Sequence, residues 1–84
     1  MKRQTVDFLD KIRNLEIKRR FDESEEDTIK RYHKTKLNMC YDYLKILISL
    51  NNGSDNIKED YLAVKKLTNK FEQDFLRWKD AKTH

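Results

Sequence analysis

The chain has 84 residues, a length for one domain, and 40% of them are charged, with 19 basic against 15 acidic side chains for a net charge of +4. Leu, Ile, Val and Phe still supply 21 residues, enough for a small ordered core. The absence of proline and the single glycine exclude the turn-rich all-β and doubly wound α/β folds, and no apolar run is long enough to span a membrane.

A first helix is predicted from Thr5, a fair N-cap residue, to Arg20. Phe8, Leu9, Ile12 and Leu15 share one side of it, whereas Val6, Ile17 and Phe21 fall on another, so its apolar face is split. Asp7 with Lys11 and Glu16 with Arg20 add acid-before-base pairs one turn apart. The acidic run from Asp22 to Asp27 reads as the start of the next helix rather than as an interaction tail. Ser24 is followed three residues later by Asp27, and carboxylates in a first turn suit the positive end of a helix dipole.

The second helix is predicted over residues 25–50. Its apolar positions, among them Ile29, Leu37, Cys40, Leu44 and Leu47, cover more than half of the circumference, as expected of a central element with neighbours on several sides. Asn51-Asn52-Gly53 supplies a stop, glycine tolerating the left-handed cap. A third helix over residues 57–81 opens at Asn56, with Glu59 three residues on in a capping-box pattern. Ile57, Val64, Phe71 and Trp78 recur every seven residues, a stripe for a single packing partner, and place Phe71 and Trp78 in the core.

Short connections near residues 21–24 and 51–55 favour antiparallel neighbours. The expected fold is all-α: one domain over residues 1–84, a small three-helix bundle running up-down-up with a long central helix. A long two-helix hairpin that dimerises is the structural alternative. The side bearing Val6, Ile17 and Phe21, or the Met39–Ile46 side of the second helix, is expected to make a homodimer or partner contact, because contiguous apolar surface seldom stays in water.

The chemistry of the residues points away from an enzyme. There is no glycine-rich phosphate loop, no GxSxG and no HExxH, and the abundant carboxylates sit in caps or charge pairs. His33 and Cys40 are seven apart on one helix face, but two ligands do not make a zinc site, and the pair is too far separated for a nucleophile and its base. No catalytic residue, metal or cofactor is expected.

Positive charge carries the candidate site. Lys30, Lys34, Tyr41 and Lys45 fall within about 60° of one another on the second helix, with Arg31 and Asn38 flanking them. Lys18-Arg19-Arg20 forms a second basic cluster. A solvated outer face would also hold lysines, and the nearby acidic run blunts the field. The expectation is a non-enzymatic interaction protein that binds and modulates or inhibits a protein partner through these six residues. The alternative is a nucleic-acid-binding protein using the same basic face. The first 20 residues lack the apolar core of a secretory signal, and a lone cysteine suits a reducing compartment, so the cytoplasm is the expected location and no membrane partner is expected. An excess of residues with AT-rich codons points to an AT-rich genome, such as a low-GC bacterium, its plasmids or a phage; with the small size and the missing catalytic motifs, a phage or mobile-element product is expected.

Overall fold

The computed structural model describes residues 1–51 and 56–83. They form three helices, α1 (Arg3–Arg13), α2 (Glu25–Asn51) and α3 (Lys58–Thr83), with no strand among the described residues. The molecule is a rod of 46 × 27 × 17 Å, the expected three-helix bundle with a long central helix.

Side chains set the starts of α2 and α3. The Asp27 N–H donates to the Ser24 hydroxyl (3.1 Å) and the Thr28 N–H to the Ser24 carbonyl (3.0 Å), so Ser24 caps α2 as its sequence context predicts. Glu25, Glu26 and Asp27 occupy the first turn, at the positive end of the helix dipole. At α3 the Lys58 N–H donates to Asn56 Oδ1 (3.3 Å). Glu59 does not complete a capping box there; its carboxylate takes the Met1 ammonium at 3.3 Å. The predicted stop after α2 lies outside the described residues beyond Asn51.

The first helix corrects its predicted limits. It ends at Arg13 rather than Arg20, because Asn14 leaves the helical region (φ −99°, ψ 9°) and gives both its backbone N–H and its side-chain amide to the Asp10 carbonyl. Beyond it, Leu15 and Ile17 are half-buried while Glu16 and Lys18 are exposed, a period of two that belongs to extended chain. Glu16 and Arg20 consequently have no helical turn across which to pair. Thr5 is not the N-cap either. It lies inside the first turn, fully buried, and the Lys2 N–H at the cap position donates to the Asp60 carboxylate instead.

The three helices alternate in direction. Glu26 meets Lys82, His33 meets Phe75 and Trp78, and Leu44 and Leu47 pack with Ile57 and Val64, so α2 and α3 run antiparallel along their whole lengths. Thr5 and Phe8 meet Tyr43, whereas Ile12 packs with Leu37 and Cys40, so α1 descends along the C-terminal half of α2. Residues 15–20 continue in the same direction as an extended strap over the N-terminal half. The core is two clusters bridged by the half-buried Phe8 and Leu67: Leu9, Leu44, Leu47, Ile57 and Val64 fill one end, and Ile12, Leu37, Cys40 and Phe71 the middle. Each fully buried aliphatic side chain in it contributes roughly 1.5–3 kcal/mol of transfer free energy. Phe71 is buried as predicted, and Trp78 is only half-buried.

Candidate interaction surface

One buried polar network decides which face α1 covers. The Asp60 carboxylate, 2% exposed, accepts the Thr5 hydroxyl (2.5 Å) and the Lys2 N–H (3.0 Å). A hydroxyl has one proton, and Thr5 gives its proton to the carboxylate. The Tyr43 hydroxyl, 2.7 Å from the Thr5 oxygen, is therefore the donor in that pair. Burial pushes the Asp60 carboxyl upward, but the Thr5 and Lys2 donors and the nearby N-terminal charge outweigh it and hold it below the usual carboxylate range. The Phe8 ring stacks on Tyr43 at 4.2 Å and 4°, closing the network.

A second polar clamp holds the strap. Arg31 donates from two nitrogens to the two oxygens of Glu23 (2.9 Å each) and also to the Lys18 carbonyl (2.8 Å). Its hydrogen bonds draw the Glu23 carboxyl down to about 2 against the opposing pull of burial, helped by the Arg20 N–H and the Thr28 hydroxyl. Arg31 was expected on the binding face, and its guanidinium is instead committed within the chain.

Two residues on a helix stand about 200° apart, so residues two positions from the α1 contacts point to the opposite side. Tyr41 is two residues from Tyr43, and Leu62 two from Asp60. Tyr41 belongs to the face of the α2–α3 hairpin that α1 leaves open, and Leu62 stands at the edge of that face, lining one groove with Ile48 and another with Met1 and Lys2. Ile48 lies one heptad after Tyr41, and Leu76 two heptads after Leu62. These four side chains are between 40% and 58% exposed. Ile48 and Leu62 line one groove of about 350 Å³ together with Tyr61 and Ile57. Burial together with the nearby Glu72 carboxylate raises the Tyr41 pKa.

Of the other residues expected in the site, Lys34, Asn38 and Lys45 are exposed on the same side of α2 as Tyr41. Lys30 sits at the far end of the rod, where it lines a shallow groove of about 270 Å³ with Trp78, Lys79, Lys82 and Glu26. Sequence reasoning missed Ile48, Leu62 and Leu76. Ile48 shares the helical angle of Lys30 and Tyr41, which was a readable signal. Leu62 and Leu76 stand off the main stripe of α3, at fourteen-residue spacing.

At that far end aromatic rings take over from aliphatic packing. His33 stacks on Phe75 (5.3 Å) and leans on Trp78 (5.7 Å), and the Lys36 ammonium lies 4.2 Å from the ring centroids of both Tyr32 and Phe71. The buried His33 Nδ1 has no hydrogen-bond partner, and burial together with the Lys36 charge lowers the His33 pKa, opposed by Asp74. Cys40 is buried against α3 near Thr68, and burial pushes its thiol up, so it is a protonated core group. Among the described residues no cluster of His, Cys, Asp or Glu could hold a metal ion, and no helix is long and apolar enough to cross a membrane.

The sides expected to make a dimer contact are partly open: Val6, Phe21 and Ile46 are exposed, while Ile17 and Met39 are half-buried. Phe8, Met39 and Ile46 line a groove between α1 and α2. In comparison with known proteins, no family model, no curated protein and no solved structure matches the chain.

Proposed function

We propose that this chain is a non-enzymatic helical interaction protein that docks a protein partner on the open α2–α3 face and thereby modulates or inhibits it. The observation that carries the reading is the open face itself. Tyr41, Ile48, Leu62 and Leu76 stand in water beside Lys34, Asn38 and Lys45, on a side of the hairpin that no described element covers. Contiguous apolar surface rimmed by polar groups marks interaction sites. Tyrosine anchors dominate the energetics of protein interfaces, and rim lysines steer the approach. A buried free thiol at Cys40 is in keeping with action in the cytoplasm.

Capture from an extract of the native host, read by mass spectrometry, tests the proposal with the parent chain, Tyr41→Ala and Val6→Ala side by side. A protein held by the parent and by Val6→Ala, and lost by Tyr41→Ala, is the expected result. A partner that Tyr41→Ala holds unchanged places docking elsewhere.

One observation favours the second reading, nucleic-acid binding: Lys30 gathers with Lys79 and Lys82 around the half-buried Trp78, a ring on which a base could stack. Against it, Glu26 enters the same cluster and pairs with Lys82 at 3.1 Å. Salt separates the two readings. Phosphate binding loses affinity steeply as salt is raised, whereas an interface anchored by Tyr41 changes little.

A further inference from the structure

We infer that the open α2–α3 face takes an acidic amphipathic helix, an inference that rests on the docking reading above. The geometry of the apolar side chains sets the shape of the occupant. Tyr41 and Ile48 are seven residues apart on α2, about 10 Å, and Leu62 and Leu76 are fourteen apart on α3, about 21 Å. Because Ile48 and Leu62 share one groove and α2 and α3 run antiparallel, these side chains form one stripe along the rod rather than a disc. A helix laid along such a stripe meets it with residues about one and two heptads apart on a single face.

Charge sets the sign of the occupant. Lys34 and Lys45 lie within about 60° of Tyr41 on α2, and Lys65 within about 60° of both Leu62 and Leu76 on α3. All three are exposed, and among the described residues none of the ion pairs engages them. Glu72, near enough to Tyr41 to raise its pKa, is one carboxylate beside these three lysines. A second copy of the chain docked through this face would set lysine against lysine across the symmetry axis, so the complementary occupant is a different chain whose flanks carry Asp and Glu.

Selection of helical 18-residue peptides from a random library displayed on beads, against the full chain, tests this. Enriched peptides are expected to carry net negative charge and apolar residues seven apart. Tyr41→Ala should weaken them at least about tenfold. The triple reversal Lys34→Glu, Lys45→Glu, Lys65→Glu should switch enrichment to basic peptides with the same apolar spacing. Thermal melting of each variant establishes that it folds, and these exposed positions leave the core untouched. Enrichment of neutral or basic peptides by the parent chain, with loss on Tyr41→Ala, would overturn the acidic occupant and leave the docking reading standing. Enrichment indifferent to Tyr41→Ala, or no enrichment at all, would overturn both. Tighter binding to phosphatidylserine-containing vesicles than to any selected peptide, lost on the triple reversal, would also overturn both.

Discussion

The α2–α3 hairpin is closed in two different ways along its length. In the half that holds Asp60 and Leu47, a third helix lies against it, held in place by Thr5, Tyr43 and Lys2 around one carboxylate. In the half that holds His33 and Trp78, the cover is an extended strap pinned by Arg31 and Glu23, and the filling is aromatic rings roofed by lysines. Among the described residues of the first half, no buried side-chain donor or acceptor lacks a partner. The second contains a buried imidazole nitrogen without a partner and a half-exposed indole. Stability is therefore concentrated where α1 sits, and the strap end is the part that opens first.

The largest effect should come from Phe71→Ala, where the two halves join. Phe71 packs with Ile12, Leu37 and Cys40 and carries the Lys36 ammonium on its ring. Truncation should cost about 3–5 kcal/mol by chemical denaturation, a large part of what a domain of this size has. A variant that unfolds like the parent would mean the two halves do not share a core.

Next in size is Asp60→Ala, which removes the acceptor shared by the buried Thr5 hydroxyl and the part-buried Lys2 N–H. A loss of about 3 kcal/mol is expected, with amide exchange in α1 rising to the rate of global unfolding. Protection of α1 that survives the change would show that apolar packing alone holds it.

Glu23→Gln should act on the other half and leave the global melt close to that of the parent. Its signature is local: proteolysis within residues 15–22 should accelerate. Cleavage at the parent rate would mean that Leu15 and Ile17, not the clamp, hold the strap.

The smallest effect concerns pH. The folded pKa of His33 is lowered, so the unfolded chain binds the extra proton more readily. Stability should begin to fall as pH drops below about 6.5, the usual histidine value. Asp60 and Glu23 are lowered too; their contributions are complete above the ordinary carboxylate range and disappear as pH falls through the folded values, which for Glu23 is about 2. His33→Phe should flatten the first decline and keep the second. An unchanged melting temperature in the parent from pH 7 to 5 would contradict the histidine part.

Much of this architecture is legible in the residue pattern, and the gaps have physical causes. The heptad from Ile57 to Phe71 and the Ser24 cap are local signals, and local hydrogen bonding and periodic burial act on them directly. The end of α1 was hidden because Leu15 and Ile17 satisfy either period over so short a run, and Asn14 is a weak stop compared with glycine. Thr5 looked like a cap because its hydroxyl can serve locally. A carboxylate 55 positions away claims that hydroxyl instead, and no local rule sees it. For the candidate surface, helical angle alone places Lys34, Asn38, Tyr41 and Lys45 on one side of α2, where all four are exposed. The commitment of Arg31 to Glu23 and the arrival of Leu62 beside Ile48 depend on tertiary neighbours that spacing does not encode.

The chain has one cysteine and one tryptophan, and they report on different parts of the same rod. Cys40 is wholly buried between Ile12 of α1 and Phe71 of α3, so an alkylating reagent reaches its sulfur only during an opening that lifts α1 or α3 off the middle of α2. Trp78 stands at the strap end beside His33, so its emission follows the looser half and the protonation of that imidazole. Thiol labelling and fluorescence, read on the unmodified protein, therefore give separate clocks for the opening of its centre and of its far end.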